Sequence, residues 1–196
     1  MEASEAILIR CSRRLARVAV LSFAAAPIPV RAIAMVAAGA GNVQDAEQPV
    51  AHADIINSVG TVLGTAKFFR SGGGIRIDLD VVQQVPGLHA IHIDSAGKCE
   101  GPDFTSAGPH FNPFAKKHGT ENPAGPDAGD LPNFLADLDG HAKVSLAAPL
   151  VTLDDGPNSL FHPGGTAIVI DENPDDNKTD PDGNSGARIA CGVIRK

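Results

Sequence analysis

The sequence predicts an all-β fold, a sandwich or barrel, and three observations support that prediction. Apolar and polar residues alternate with a period of two from Ala51 onward, as in half-buried strands. Gly (21) and Pro (15) are abundant, which suits a loop-rich β protein. No segment has a convincing helical pattern. Since Trp and Tyr are absent, we expect a core of Val, Ile, Leu and Ala.

The clearest strand signal lies at Ile75–Val81, where apolar residues alternate with Arg and Asp. Asp139-Gly140 is a hairpin signal between two further runs. Two long polar stretches, 95–132 and 171–186, interrupt the strands, and irregular loops of this length are usually functional. The other predicted strands are Ser58–Phe69, Leu88–Asp94, Asn133–Asp139, Ala142–Leu146, Thr166–Ile170 and Arg188–Ile194.

The N-terminus has the pattern of a secretory signal. A basic segment, 10–17, precedes an apolar stretch, 18–30, and an Ala-Ile-Ala ending at Ala34. The alternatives are a disordered tail or a misplaced start at Met1. We expect export to a periplasmic or extracellular location. The expected organisation is a signal peptide at 1–34, a flexible linker at 35–50 and one folded domain at 51–196.

Charge and hydropathy exclude two classes of partner. The net charge of −7 argues against nucleic acid, because a phosphate-binding protein needs a basic face. No apolar run reaches the ~18 residues that a membrane span requires. Neither class of partner is therefore expected.

Three cysteines occur, and Cys11 would be lost with the leader. Cys99 and Cys191 remain, and an even pair in an exported chain indicates one disulfide. Two buried free thiols are the alternative.

Ligand-type side chains concentrate around one predicted strand and the loop after it. In Leu88–Asp94, His92 and Asp94 share one face, and His89 lies on the other. Such residues in a cluster are typical metal ligands. Spacing alone leaves a metal site and solvated loop residues equally open. The loop contributes His110, His118, Asp127 and Asp130.

Five segments of the chain together form a recognisable set: Gly87–Ile93, Thr105–Pro113, Lys117–Gly119, Ala128–Asn133 and Gly183–Ile194. They resemble the signature segments of copper/zinc superoxide dismutases, in the family's order and over about residues 52–194. Two further segments, 101–104 and 158–165, are similar to bacterial members. The resemblance implies an eight-stranded Greek-key flattened barrel with two long functional loops. It also implies copper and zinc as cofactors and superoxide as substrate.

The resemblance assigns roles residue by residue, and three positions depart from it. Arg188 matches the arginine that positions superoxide, and His110 the histidine that bridges both metals and carries a proton. Asp175 matches the carboxylate that orients the ligand imidazoles. His89 matches a structural histidine. Copper positions hold His92, Asp94, His110 and Asp171; zinc positions hold His110, His118, Asp127 and Asp130; the disulfide positions hold Cys99 and Cys191.

Aspartates stand where the family has histidine, at Asp94, Asp127 and Asp171. Copper(I) prefers imidazole or softer ligands, whereas zinc accepts carboxylate. We therefore expect a retained zinc site, doubtful copper binding, and weakened or lost dismutation. A fully active enzyme, a non-catalytic zinc-binding structural module and an unrelated β-sandwich binding domain stay open as alternatives. A homodimer is also left open.

Overall fold

The structure is a computed structural model that describes residues 47–196. Within this range the chain forms nine strands and one short 3₁₀ turn, Thr105–Ala107. The fold is therefore almost entirely β, as the sequence predicts. The strands are β1 Ala51–Asn57, β2 Val62–Ser71, β3 Gly74–Val81, β4 Gly87–His89, β5 Ile91–Asp94, β6 Phe134–Ala136, β7 Ala142–Ala148, β8 Ala167–Asp171 and β9 Arg188–Val193.

Seven strands form one antiparallel sheet in the order β5-β8-β9-β1-β2-β3-β7, which curls into a half-barrel. Strands β4 and β6 form a small second sheet. The connection from β6 to β7 is a tight turn in which the amide of Asp137 donates to the carbonyl of His141. The predicted fold class is confirmed.

The predicted strand Leu88–Asp94 is divided in two. With β1, which is not among the predicted strands, this gives nine strands between residues 47 and 196, where the pattern predicts seven and the resemblance implies eight. β4 pairs with β6, and β5 pairs with β8. Ala90 lies between them and bonds to the second long loop: its amide donates to Asn173 O, and its carbonyl accepts from the amide of Asp171. One stretch of chain therefore connects both sheets.

The predicted strand Ser58–Phe69 begins too early. Residues 58–61 form a turn, in which the Asn57 side chain accepts from the amides of Val59 and Thr61. β2 starts only at Val62, and β1 precedes the turn as a separate strand. The turn reverses the chain so that β1 and β2 pair.

The core lies between the sheet faces and is aliphatic with a few Phe. In β3 the apolar positions Ile75, Ile77, Leu79 and Val81 are all buried, as the alternation predicts. Phe68 on β2 is fully buried beside them. Burying each such side chain contributes ~1.5–3 kcal/mol before conformational entropy is subtracted.

The first long loop is fixed to the free edge of β5. The amide of Ile93 donates to Gly129 O, and the carbonyl of Ile93 accepts from the amide of Phe111. A Cβ at Gly129 would lie 2.2 Å from the Ile93 carbonyl oxygen, so only glycine permits this approach. The two bonds bring both ends of the loop beside β5.

The Cys99–Cys191 disulfide is present and joins the first long loop to β9. This confirms the predicted disulfide and not the alternative of two buried free thiols. It restrains the loop near its start.

The predicted signal peptide and residues 35–46 of the predicted linker lie outside the described residues. The end of that linker contacts the sheet: the amide of Val50 donates to Phe68 O, and Glu47 pairs with Arg76 at 3.0 Å. Between residues 47 and 196, no helix has the length and apolar character needed to cross a membrane.

Candidate metal centre

The structure brings the predicted ligand positions together around β5 and β8. β5 and β8 carry three of them, the first long loop carries four, and the second loop and β9 complete the group. Most are almost fully buried; Arg188 retains 23% exposure of its side chain. The residues are His92, Asp94, His110, His118, Asp127, Asp130, Asp171, Asp175 and Arg188.

Three buried atoms converge without hydrogen-bond partners in the described part of the chain. They are His110 Nδ1, His118 Nδ1 and Asp130 Oδ1. His110 Nδ1 and Asp130 Oδ1 are 3.5 Å apart, and His118 Nδ1 and Asp130 Oδ1 are 2.7 Å apart. Two ligands of a tetrahedral zinc ion lie about 3.3 Å apart, given bonds of ~2.0–2.1 Å. The arrangement therefore fits a small cation.

Two residues could supply a fourth ligand to a cation bound by these three atoms. Asp127 Oδ2 is 3.4 Å from His110 Nδ1 and 4.0 Å from His118 Nδ1. His92 also has a nitrogen within 4.8 Å of the three atoms. Asp127 is the better fourth ligand, because its carboxylate approaches both imidazoles, whereas His92 Nδ1 faces Asp171.

Backbone amides hold the Asp130 carboxylate in place. Its Oδ2 accepts from the amides of Gly119 and Asp127, at 2.8 and 3.1 Å. The other oxygen, Oδ1, is thereby turned towards His110 and His118. Such an outer set of bonds orients a ligand before a metal arrives.

Asp175 links the two halves of the centre. Its Oδ1 lies 3.0 Å from His118 Nε2, and its Oδ2 lies 3.2 Å from His92 Nε2. This is the orienting position that the resemblance implies. Asn133 fixes the backbone of Asp175 with two hydrogen bonds, of 2.8 and 2.9 Å.

The two aspartates at copper positions are each engaged by a protein group. Asp171 Oδ2 lies 2.9 Å from His92 Nδ1. Asp94 Oδ2 lies 2.9 Å from Arg188 Nη2. One carboxylate oxygen of each aspartate is therefore in contact with a neighbouring side chain.

The imidazoles bind protons more tightly than free histidine does. Burial lowers the pKa of His110, but Asp127 and Asp130 outweigh it and raise that pKa to about 9. Burial likewise opposes Asp130 and Asp175 at His118, whose pKa rises to about 10. The pKa of His92 is also raised, because Asp171 and Asp175 outweigh its burial.

The pKa values of the buried carboxylates shift in different directions. Burial raises the pKa of Asp94 to about 6, against the opposing effect of Arg188. For Asp130 and Asp175 burial is outweighed by the neighbouring imidazoles, and both pKa values fall well below the usual range. Asp130 and Asp175 are thus anions at neutral pH and attract cations.

Two cavities meet at His110. One, of about 420 Å³, reaches His110, His118 and Asp127 from the first-loop side. The other, of about 220 Å³, is lined by the copper positions together with Arg188 and Asp182. Small ions therefore have a path to both halves.

Sequence reasoning did not anticipate the partners of two residues. The ion pair of Arg188 with Asp94 joins segments that are remote in sequence, and no local signal announces it. His162 stacks on Phe111, with ring centroids 5.2 Å apart. His89 contacts two backbone carbonyls, Asp171 O and Val85 O, which agrees with a structural histidine.

Comparison with known families and proteins gives one consistent result. A family model described as copper/zinc superoxide dismutase (SODC) matches residues 62–194. Superoxide dismutase [Cu-Zn] 1 of Aquifex aeolicus is 49% identical over 152 residues, which cover 76% of this chain and 90% of that protein. A superoxide dismutase-like protein of Bacillus subtilis is 40% identical over 146 residues, covering 73% and 74%.

Solved structures agree with that result. The crystal structure of a SOD-like protein from Bacillus subtilis has a TM-score of 0.71 and 39% identity, covering 72% of this chain and 96% of that one. A double mutant of the same protein, with a Tyr and a Pro replaced by His, has a TM-score of 0.71 and 41% identity, covering 72% and 95%.

Proposed function

Since the chain belongs to the copper/zinc superoxide dismutase family, we propose that it is a zinc-binding member whose dismutation of superoxide is weakened or lost. One observation carries the proposal. At the zinc positions, the imidazole nitrogens of two histidines converge with oxygens of two carboxylates at 2.7–4.0 Å, whereas at the copper positions Asp94 pairs with Arg188 and Asp171 with His92.

Four residues would hold zinc: His110, His118, Asp127 and Asp130. Zinc would supply a structural crosslink across the first long loop, and its coordination accepts carboxylate beside imidazole. The convergence of buried donors supports this: three of their atoms make no hydrogen bond of ordinary geometry among the described residues, although they lie close to one another. A cation at that point would contact all three.

The copper positions fit copper poorly. Two of the four positions hold Asp94 and Asp171, which are hard oxygen donors and therefore disfavour copper(I). We therefore expect no redox cycling of copper at this position.

A fully active copper/zinc superoxide dismutase is the second candidate. Four residues at positions of the family site support it: His92, His110, Asp175 and Arg188. The relatives from Aquifex aeolicus, at 49% and 50% identity, bear the name superoxide dismutase. A non-catalytic structural zinc module corresponds to the first proposal with dismutation lost completely.

Metal analysis of the purified mature chain, combined with a superoxide-consumption assay, separates these candidates. We expect one zinc per chain, copper below stoichiometry after loading, and consumption far below the diffusion limit. One tightly bound copper per chain with turnover near that limit would overturn the proposal.

Reversing the substitutions tests the same proposal from the other side. Asp94→His together with Asp171→His should raise copper affinity, because two imidazole donors return. Asp127→His is the matched control, since it changes the zinc half and should leave copper affinity nearly unchanged. Unchanged copper affinity in the double variant would mean that the substitutions are not what excludes copper.

We further propose that the protein works outside the cytoplasm. The disulfide supports this, because such bonds persist in oxidising compartments. Fractionation of cells that produce the full chain should place the protein in a periplasmic or extracellular fraction, with the N-terminus cleaved near Ala34. An uncleaved protein in the cytoplasm would contradict it.

A further inference from the structure

We propose that Asp94 is a built-in anion for Arg188, so that the cavity beside it binds no free small anion. The proposal concerns an anion and stands independently of which metal the protein binds. In this proposal Asp94 is not a metal ligand, and its carboxylate is the counter-charge of Arg188.

The guanidinium of Arg188 is held in one position by the loop that faces β9. Its Nη1 donates to Phe104 O at 3.0 Å, and its Nη2 donates to Gly108 O at 2.7 Å. These carbonyls are neutral, so they fix the group without cancelling its charge. A positive group fixed at the wall of a small cavity attracts anions.

The carboxylate of Asp94 meets that charge. Asp94 Oδ2 lies 2.9 Å from Arg188 Nη2, and Asp94 is 1% exposed. Among residues 47–196, neither oxygen of Asp94 accepts a hydrogen bond of ordinary geometry. Arg188 is therefore the charge in direct contact with Asp94, and His110 and His92 lie farther off in the same cavity. Removing the contact would leave the buried carboxylate strongly disfavoured.

The other acidic groups of the cavity are placed differently. Asp171 is engaged by His92 at 2.9 Å. Asp182 lines the same cavity but is exposed, so solvent screens its charge. Among the three carboxylates that line this cavity, Asp94 is thus the one in contact with the guanidinium. An anion that entered the cavity would have to displace the Asp94 carboxylate from Arg188, and this carboxylate is buried and part of the chain.

The test titrates azide into the full chain and follows the Nε–H resonance of Arg188 by NMR. Asp94→Asn removes the charge at nearly constant shape. We expect Asp94→Asn to bind azide at least about tenfold more tightly than the unchanged chain, because loss of a close like charge is worth this much or more. Asp94→Ser repeats the comparison if Asp94→Asn does not fold.

Two further variants make the result specific. Asp182→Asn removes the same charge from the same cavity and should change the affinity far less. Adding Arg188→Gln to Asp94→Asn should abolish the gain. Equal gains from Asp94→Asn and Asp182→Asn, or a gain that survives Arg188→Gln, would overturn the proposal, as would tight azide binding by the unchanged chain.

A double-mutant cycle on unfolding supplies an independent measurement. Arg188→Gln alone should destabilise the chain more than Arg188→Gln combined with Asp94→Asn, because the single change leaves Asp94 buried without its counter-charge. Additive effects of the two substitutions would contradict the pairing.

Discussion

His92 has a carboxylate at each ring nitrogen, Asp171 at Nδ1 and Asp175 at Nε2. A neutral imidazole has only one N–H, so it can donate to only one of them. Both bonds form together when the ring carries two protons. This explains why the pKa of His92 is raised although the ring is buried.

The same reasoning predicts a steep pH dependence of zinc affinity. His110 and His118, with pKa values of about 9 and about 10, hold protons at neutral pH that zinc must displace. We expect the release of about two protons per zinc between pH 6 and 8, with affinity rising as pH rises. Calorimetry in buffers of different ionisation enthalpy counts these protons.

Asp175→Asn should flatten this dependence. The substitution removes one of the carboxylates that raise the pKa of His118. Glu172→Gln is the matched control, because Glu172 is an exposed acidic residue of the same loop. A zinc affinity that is independent of pH would show that the imidazoles are already free of protons.

At the scale of elements, the second long loop covers the bond between Asp175 and His118. Gly183 lies directly against that bond: a Cβ there would be 1.8 Å from Asp175 Oδ1 and 2.8 Å from His118 Nε2. Its φ of +63° also favours glycine. The loop can therefore pack on the centre only because this position has no side chain.

Gly183→Ala should weaken zinc binding by displacing Asp175 from His118. We expect a loss of ~10–100-fold in zinc affinity, the range for removal of a partner that orients a metal ligand. Gly60→Ala is the matched control: its φ is +84°, but nothing lies within 4 Å of its Cβ position. Equal effects from the two variants would show that backbone strain alone is responsible.

At the scale of the whole molecule, one disulfide ties the first long loop to the last strand. Cys99 and Cys191 are 92 residues apart, so the bond closes most of the domain into a ring. Closing a loop of this length limits the unfolded chain and stabilises the fold by ~4–5 kcal/mol in the chain-entropy estimate.

Replacing both cysteines, Cys99→Ser with Cys191→Ser, should lower the free energy of unfolding by about 4 kcal/mol. Urea unfolding of the zinc-loaded chain measures the change. A loss below about 1 kcal/mol would mean that the reduced chain is already restrained.

The sequence predicts which positions are buried or ligand-bearing better than it predicts which side chains contact each other. The alternation in β3 predicted which of its residues are buried, because side-chain direction follows from local backbone geometry. The resemblance placed the ligand positions. It could not reveal that Asp94 contacts Arg188, because this contact depends on how the segment around Phe104 and Gly108 holds the guanidinium.

Because the strands divide at Ala90, hydrogen exchange at its amide reports on the second long loop. The amide of Ala90 belongs to neither sheet ladder and donates to Asn173 in the second loop. Its rate of hydrogen exchange therefore measures how often that loop detaches while both sheets stay intact. A single backbone signal would thus follow the opening of the loop that covers the centre, without a label and without any reaction.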